Sequence, residues 1–225
     1  MATQIHPRQF MPVVTISREY GSGGSEVARK VADLLGYHLV DKALMGKILA
    51  SYGLIDFDTD YKEESSIWAP LDTSLKTMMG MLERIDLAFA RHGHTVILGR
   101  GSYAALAGKP GVLNVRLCAP FDWRVERVMR ELSIGDRSKA GIAVREGDKL
   151  RSSFVSSVYG IQWNSIEHID LLMDTSKIGL DRAARWIDEA VRNIPADSSR
   201  VGLGAPDSVL DDAITAELAC DGKGD

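Results

Sequence analysis

Cysteine is almost missing from this chain. Cys118 and Cys220 have neither metal-ligand spacing nor the numbers for a disulfide framework, which excludes both devices as supports of the fold. Cys118 sits in an apolar run and is expected as a small core residue. There is no apolar stretch of membrane-spanning length and no secretory leader, so no membrane partner is expected and the cytoplasm is the default compartment. An excess of positive charge is also lacking. A formal net charge of −4 and a pI near 5.8 argue against a surface devoted to a nucleic acid polymer or to anionic lipid. Any anion site must therefore be a local gathering of arginines. No internal repeat is found. What is present, 45% hydrophobic and 26% charged over 225 residues, suits an ordinary soluble protein with one substantial core.

The chain is organised around Val13-Val14-Thr15-Ile16-Ser17-Arg18-Glu19-Tyr20-Gly21-Ser22-Gly23-Gly24-Ser25. The β-branched run Val13–Ile16 predicts a buried strand. Three glycines in four positions then allow backbone angles that other residues resist. Val27, Val31, Leu34 and Leu35 follow at helical spacing, with Gly36 placed to stop the helix. Strand, glycine loop and helix start leave several N–H groups aimed at one spot, which is a phosphate nest.

Two nucleotide loops compete for this stretch. A dinucleotide fingerprint reads Gly21-x-Gly23 but ends on Glu26, an acid near a pyrophosphate; in its favour, Asp41 lies twenty residues after Gly21. The P-loop pattern G-x-x-x-x-G-K-S/T aligns Gly23 and Ser25 with its last glycine and its metal-binding hydroxyl. Arg18 then occupies the first glycine position and Gly24 the lysine position. The P-loop is the better fit, because it keeps the hydroxyl and puts no acid against the phosphate.

Further along, residues 1–11 read as an N-terminal extension and 12–194 as the domain. Tyr37–Val40 predicts a second strand, after which Asp41 either caps the helix Lys42–Ser51 or faces a ligand. The acidic residues 52–73, with Asp56, Asp58 and Asp60, lack a calcium loop's glycine and terminal glutamate and read as a solvated loop. Leu75 to Ala90 is an amphipathic helix with Arg84 on its exposed side. Thr95–Leu98 is a third strand running into Gly99-Arg100-Gly101-Ser102, where an arginine between glycines at a strand's C-terminal end points to a ligand. After a fourth strand, Val112–Leu117, the helix Phe121–Leu132 carries Arg124, Arg127 and Arg130 three apart. Taken alone, that stripe reads as a solvated face paired with Glu126 and Glu131. Residues 133–160, with Arg137, Lys139, Arg145, Lys149 and Arg151, predict a helical hairpin that projects from the core as a cationic lid. A fifth strand at Asp170–Thr175 and a helix at Leu180–Asn193 complete a three-layer α/β architecture: a parallel sheet of about five strands with helices on both faces. Residues 195–225 read as a flexible tail with a short helix at Val209–Leu218.

From Val13 to about Val191 the sequence resembles the cytidylate kinase-like branch of the nucleoside monophosphate kinases. The resemblance rests on VVTISREYGSGGSEVARKVADLLGYHLVDK, VILGRGS, APFDWRVERVMRE, EGDKLRSSF and DLLMDTSKIGLDRAARWI, in that order. It implies a P-loop kinase fold with a helical lid, and transfer of the ATP γ-phosphoryl group to CMP or dCMP with Mg²⁺, a reaction that asks mainly for positioning and charge stabilisation. On this mapping Gly21, Ser22, Gly23, Gly24 and Ser25 cradle the donor phosphates, and Ser25 also meets Mg²⁺. Asp41 and Arg100 fall where the family meets the acceptor, and Asp148 and Arg151 preserve an Asp-x-x-Arg pair placed at acceptor base and phosphate. Arg127, Arg130, Arg137 and Arg145 become candidates for donor or lid contacts, and Arg18, Arg145 and Arg151 for catalytic charge. Two departures stand out. Position 24 has no lysine, and Gly101 stands where the family usually carries an acid. They leave open a nucleotide-binding regulatory protein of the same fold, or a kinase for another small acceptor.

Overall fold

A computed structural model describes residues 12–51, 73–99, 101–195 and 207–220. The extension at 1–11 and the acidic stretch 52–72 lie outside the described residues. In chain order the elements are β1 (Val13–Arg18), α1 (Gly24–Leu35), β2 (His38–Val40), α2 (Lys42–Ser51), α3 (Thr73–His92), β3 (Thr95–Leu98), α4 (Ser102–Ala105), β4 (Val112–Cys118), α5 (Phe121–Glu131), α6 (Arg137–Tyr159), β5 (Leu171–Asp174), α7 (Thr175–Ile178), α8 (Leu180–Arg192) and α9 (Ser208–Cys220).

The five strands form one sheet in the order β2-β3-β1-β4-β5, with every pair parallel. β1 lies in the middle, so both of its faces are covered and its residues are buried with little alternation. Val14 and Ile16 face α1 and α8 with Val27, Val31, Ala183 and Ile187, while Val13 joins Val40 and Ile97 under α2 and α3. Register is fixed by polar groups as well. The Thr15 hydroxyl donates to Asn114 Oδ1 at 2.7 Å, and the Asn114 amide donates to Asp170 at 2.7 Å. Because every strand runs the same way, Arg18, Val40, Leu98, Cys118 and Asp174 end along one edge, where ligands gather in open parallel sheets.

Two expectations are corrected here. Residues 133–160 do not make a hairpin among themselves. They hold one helix, α6, which Asp136 caps by accepting from the Ser138 amide at 2.7 Å and which Gly160 ends. This helix packs against α5 through Ala140 and Val144, which meet Val125 and Val128. Small residues made that face look polar in the sequence, yet they let the two helices close up. The second correction concerns the tail. Helix α9 docks on α2 and α3, with Leu210, Ile214 and Leu218 buried in the same core as Ile48, Leu82 and Ile85. Arg84 pairs with Asp207, Arg91 with Asp211 at 3.2 Å and Lys47 with Glu217 at 3.9 Å around its rim.

One acid lies inside that core. Asp86 of α3 has no exposed surface; it accepts from the Ser102 hydroxyl at 3.0 Å, and its second oxygen has no partner among the described residues. Burial pushes its carboxyl up to about 8, aided by the charge of Glu83 and opposed by the Ser102 hydrogen bond. The folded protein therefore keeps this proton at pH values where the unfolded chain, ionising near 3.8, has lost it. Stability attributable to Asp86 is present below that lower value and falls as pH rises toward about 8. Asp86→Asn is expected to flatten the melting temperature against pH over this window and to melt above the parent at its alkaline end. Parallel curves for the two proteins in calorimetric scans would reject the assignment.

Candidate functional site

β1 stops at Arg18, and α1 begins after five intervening residues. The turn between them is closed from inside. The Ser22 hydroxyl donates to the Glu19 carbonyl at 2.9 Å, and the Ser22 carbonyl accepts from the Thr175 hydroxyl at 2.7 Å. Gly23 caps the helix with φ at 80°, a left-handed angle that favours glycine, and its carbonyl receives the amides of Glu26 and Val27 at 3.1 Å. Gly24 and Ser25 start the first turn, where helical geometry provides no carbonyl for their amides. These two residues border a cavity of about 500 Å³ together with Gly21, Gly23 and Arg127. The helix dipole adds positive potential there. Ser22 is buried with its hydroxyl turned inward, so it shapes the cradle and presents no side chain to it.

Glu26, the acid that a phosphate would meet, is neutralised. Arg127 donates to it at 2.8 Å and Lys30 lies 3.5 Å away, while Arg127 also reaches Glu131 at 2.5 Å. Of the arginine stripe on α5, Arg127 thus stands at the rim of the cavity. Arg130 is exposed and borders no cavity described here. Arg124 turns inward. It donates to the carbonyls of Ala119 and Tyr20 at 2.9 and 3.0 Å, and it meets Asp148 at 2.6 Å and Glu19 at 3.4 Å.

A second cavity of about 240 Å³ adjoins the first and is walled by Lys42, Tyr103, Phe154 and Trp163. Arg18, Tyr20 and Arg151 border both cavities. Arg151 projects from α6, donates to the Gly147 carbonyl at 2.6 Å and lies 5.1 Å from the centre of the Tyr20 ring. Arg18 runs from the end of β1 past Gly24 to Gly99. Behind the aromatic wall, Arg116 of β4 is sandwiched between Tyr103 at 4.9 Å and Trp163 at 4.5 Å and donates to the Ser17 hydroxyl at 3.0 Å.

Other residues singled out in the sequence stand elsewhere. Asp41 caps α2, accepting from the Ala43 and Leu44 amides at 2.9 and 3.1 Å, and lines neither cavity. Asp148 is occupied by Arg124 and by the Tyr20 amide at 2.7 Å, so it braces the glycine loop against α6. Arg145 lies 4.7 Å from the Phe121 ring and, with Arg137, borders a separate cavity of about 320 Å³ lined by α5 and α6. Arg137 itself pairs with Asp122 at 2.7 Å. Arg100 lies outside the described residues. Its neighbour Gly101 has the Tyr159 ring directly against the space a side chain would need, which accounts for the missing acid. The sequence reading overlooked Lys42 and Arg116. An arginine inside the apolar strand VLNVRLC was a usable signal, because a buried strand accepts a charge only when something holds it.

For Mg²⁺ the donor set is thin but suitable. Ser25 is exposed at the mouth of the cradle, and no cluster of three or more His, Cys, Asp or Glu occurs among the described residues. An exposed hydroxyl suits a magnesium ion, which takes oxygen ligands and usually keeps several waters. Among the described residues no helix is long and apolar enough to cross a membrane.

Comparison with known proteins gives a consistent result. The cytidylate kinase-like family matches residues 13–177. A cytidylate kinase of Pyrobaculum islandicum is 30% identical over 178 residues, spanning 78% of this chain and 90% of its own length. One from Pyrococcus furiosus is 26% identical over 185 residues, with 81% and 89% covered. In fold, a solved structure of a Eubacterium ventriosum protein is similar at a TM-score of 0.64 and 22% identity, over 81% of this chain and 98% of that one.

Proposed function

Because the chain belongs to the cytidylate kinase-like family, we propose that it transfers the γ-phosphoryl group of ATP to a nucleoside monophosphate, CMP or dCMP, in the cytoplasm. The observation that carries this reading is the junction of two cavities over Arg18, Tyr20 and Arg151. One cavity is a backbone cradle for polyphosphate. The other is an aromatic slot with a lysine, suited to a flat base bearing a phosphate. Their shared wall is where a γ-phosphoryl group would pass from donor to acceptor.

In this reading the amides of Gly24 and Ser25 hold the donor phosphates, Arg127 closes the rim, and the Ser25 hydroxyl meets Mg²⁺. The metal, when bound, neutralises charge developing on the phosphate oxygens. The acceptor base lies against Tyr103, Phe154 and Trp163, with its phosphate toward Lys42 and Arg151. An acceptor phosphate oxygen forms the new bond to the γ-phosphorus as the bond to the bridging oxygen of ADP breaks. No covalent bond to the protein is needed. Positioning and charge supply the acceleration, which makes the fixed arginines the working parts.

The absent lysine favours a second reading, nucleotide binding without turnover. ADP release with Mg²⁺–ATP and each of CMP, dCMP, UMP, AMP and a panel of sugars and small alcohols separates them. Brisk release with CMP or dCMP, lost in Arg151→Ala, supports the kinase. Calorimetric ATP binding with no release above the Arg151→Ala background supports the binding protein. Release only with a sugar or another small alcohol transfers the acceptor assignment.

A further inference from the structure

A phosphate loop of this kind ordinarily places a lysine ammonium over the β- and γ-phosphates. Position 24 is where that lysine would stand, and the chain has glycine there. The structure supplies a steric reason. A Cβ on residue 24 would lie 2.6 Å from both Cβ and Cγ of Arg18, closer than real side chains approach. The same arginine fills a second such gap, because a Cβ on Gly99 would run into Arg18 Nη1. One side chain is threaded between two glycine backbones, its stem over the start of α1 and its head beside the end of β3. Both positions must lack a side chain for Arg18 to take this course.

The geometry points to an exchange of positions: Arg18 supplies from the end of β1 the positive charge that a lysine at position 24 would supply from α1. This rests on the phosphoryl-transfer reading of the site and goes beyond it by saying why the lysine is missing and what replaced it. The exchange also changes what the charge can do. A lysine on α1 would belong to the donor cradle alone, whereas Arg18 borders both the 500 Å³ and the 240 Å³ cavities. Its planar fork can hold oxygens of two phosphates at once, and its charge does not titrate. Arg18 is thereby placed to bridge donor and acceptor phosphates as the γ-group moves between them.

Moving the charge back tests the exchange. Arg18→Met, which keeps a stem over Gly24 and removes the charge, is expected to lower kcat by about 10²–10³-fold and to weaken calorimetric binding of Mg²⁺–ATP and of tripolyphosphate. Gly24→Lys alone is expected to lose binding and melting temperature, since two side chains claim one space. The double variant Arg18→Ala/Gly24→Lys should recover at least about ten-fold in turnover and in tripolyphosphate binding over Arg18→Ala. A residue that only packs would show no such rescue. The inference is overturned if Gly24→Lys leaves binding and melting unchanged, if Arg18→Met binds tripolyphosphate like the parent, or if the folded double variant is no better than Arg18→Ala. Should the parent turn over none of the monophosphates, the kinase reading fails while the tripolyphosphate measurements still decide the exchange.

Discussion

Arg151→Ala is expected to reduce kcat with CMP or dCMP by about 10²–10³-fold, the usual loss when one fixed donor is removed from a developing charge. Arg151 is chosen because its guanidinium borders both cavities and is held in place before any ligand arrives, by the Gly147 carbonyl at 2.6 Å and the Tyr20 ring at 5.1 Å. A group held in advance loses little entropy on meeting the transition state, so most of its attraction appears as rate. The KM for ATP should change far less than kcat, because the cradle amides remain. Stability should change less than activity, since Arg151 is only part-buried. Arg151→Lys should recover only a small part, because a single ammonium cannot both accept this seating and fork toward two oxygens. Steady-state kinetics paired with melting curves check all of this. Equal losses in kcat and in ATP affinity would mean that Arg151 belongs to donor binding alone.

Arg124→Ala is expected to act the other way, on stability first. Its side chain is 8% exposed and makes four contacts, with the Ala119 and Tyr20 carbonyls and with Asp148 and Glu19. Removing it strands two carboxylates near the protein interior. Breaking such a pair costs about 3–5 kcal/mol when fully buried. Asp148 and Glu19 keep 26% and 29% of their side-chain surface, so the lower end, about 3 kcal/mol, is expected. For a domain of this size that corresponds to a fall in melting temperature on the order of 6–12 °C. Arg124→Met/Asp148→Asn should melt above Arg124→Met, since only Glu19 is then left without its cation. A double variant no more stable than the single one would show that packing, not charge, holds the contact.

The sheet was legible because buried parallel strands favour continuous β-branched runs, and Val13–Ile16 and Thr95–Ile97 are such runs. The cradle was legible because its glycines are adjacent in sequence. What could not be read were contacts between distant segments. Helix α9 looked like a loose tail because the cations that pair with its acids, Lys47, Arg84 and Arg91, lie more than a hundred residues away. Ser22, Asp41 and Asp148 were assigned toward ligands, yet a short polar side chain beside a turn is equally suited to closing the turn. The aromatic slot was invisible for a similar reason, since Tyr103, Phe154 and Trp163 come from three separate stretches of chain.

The brace between the turn after β1 and α6 has a mechanical consequence. Asp148 grips the Tyr20 amide, and the Tyr20 ring lies on the backbone of Gly147, so α6 and the turn after β1 are joined like pedal and brake. On the proposed reading, a displacement of α6 would also act on the turn that holds the donor phosphates, so that the two would loosen as one.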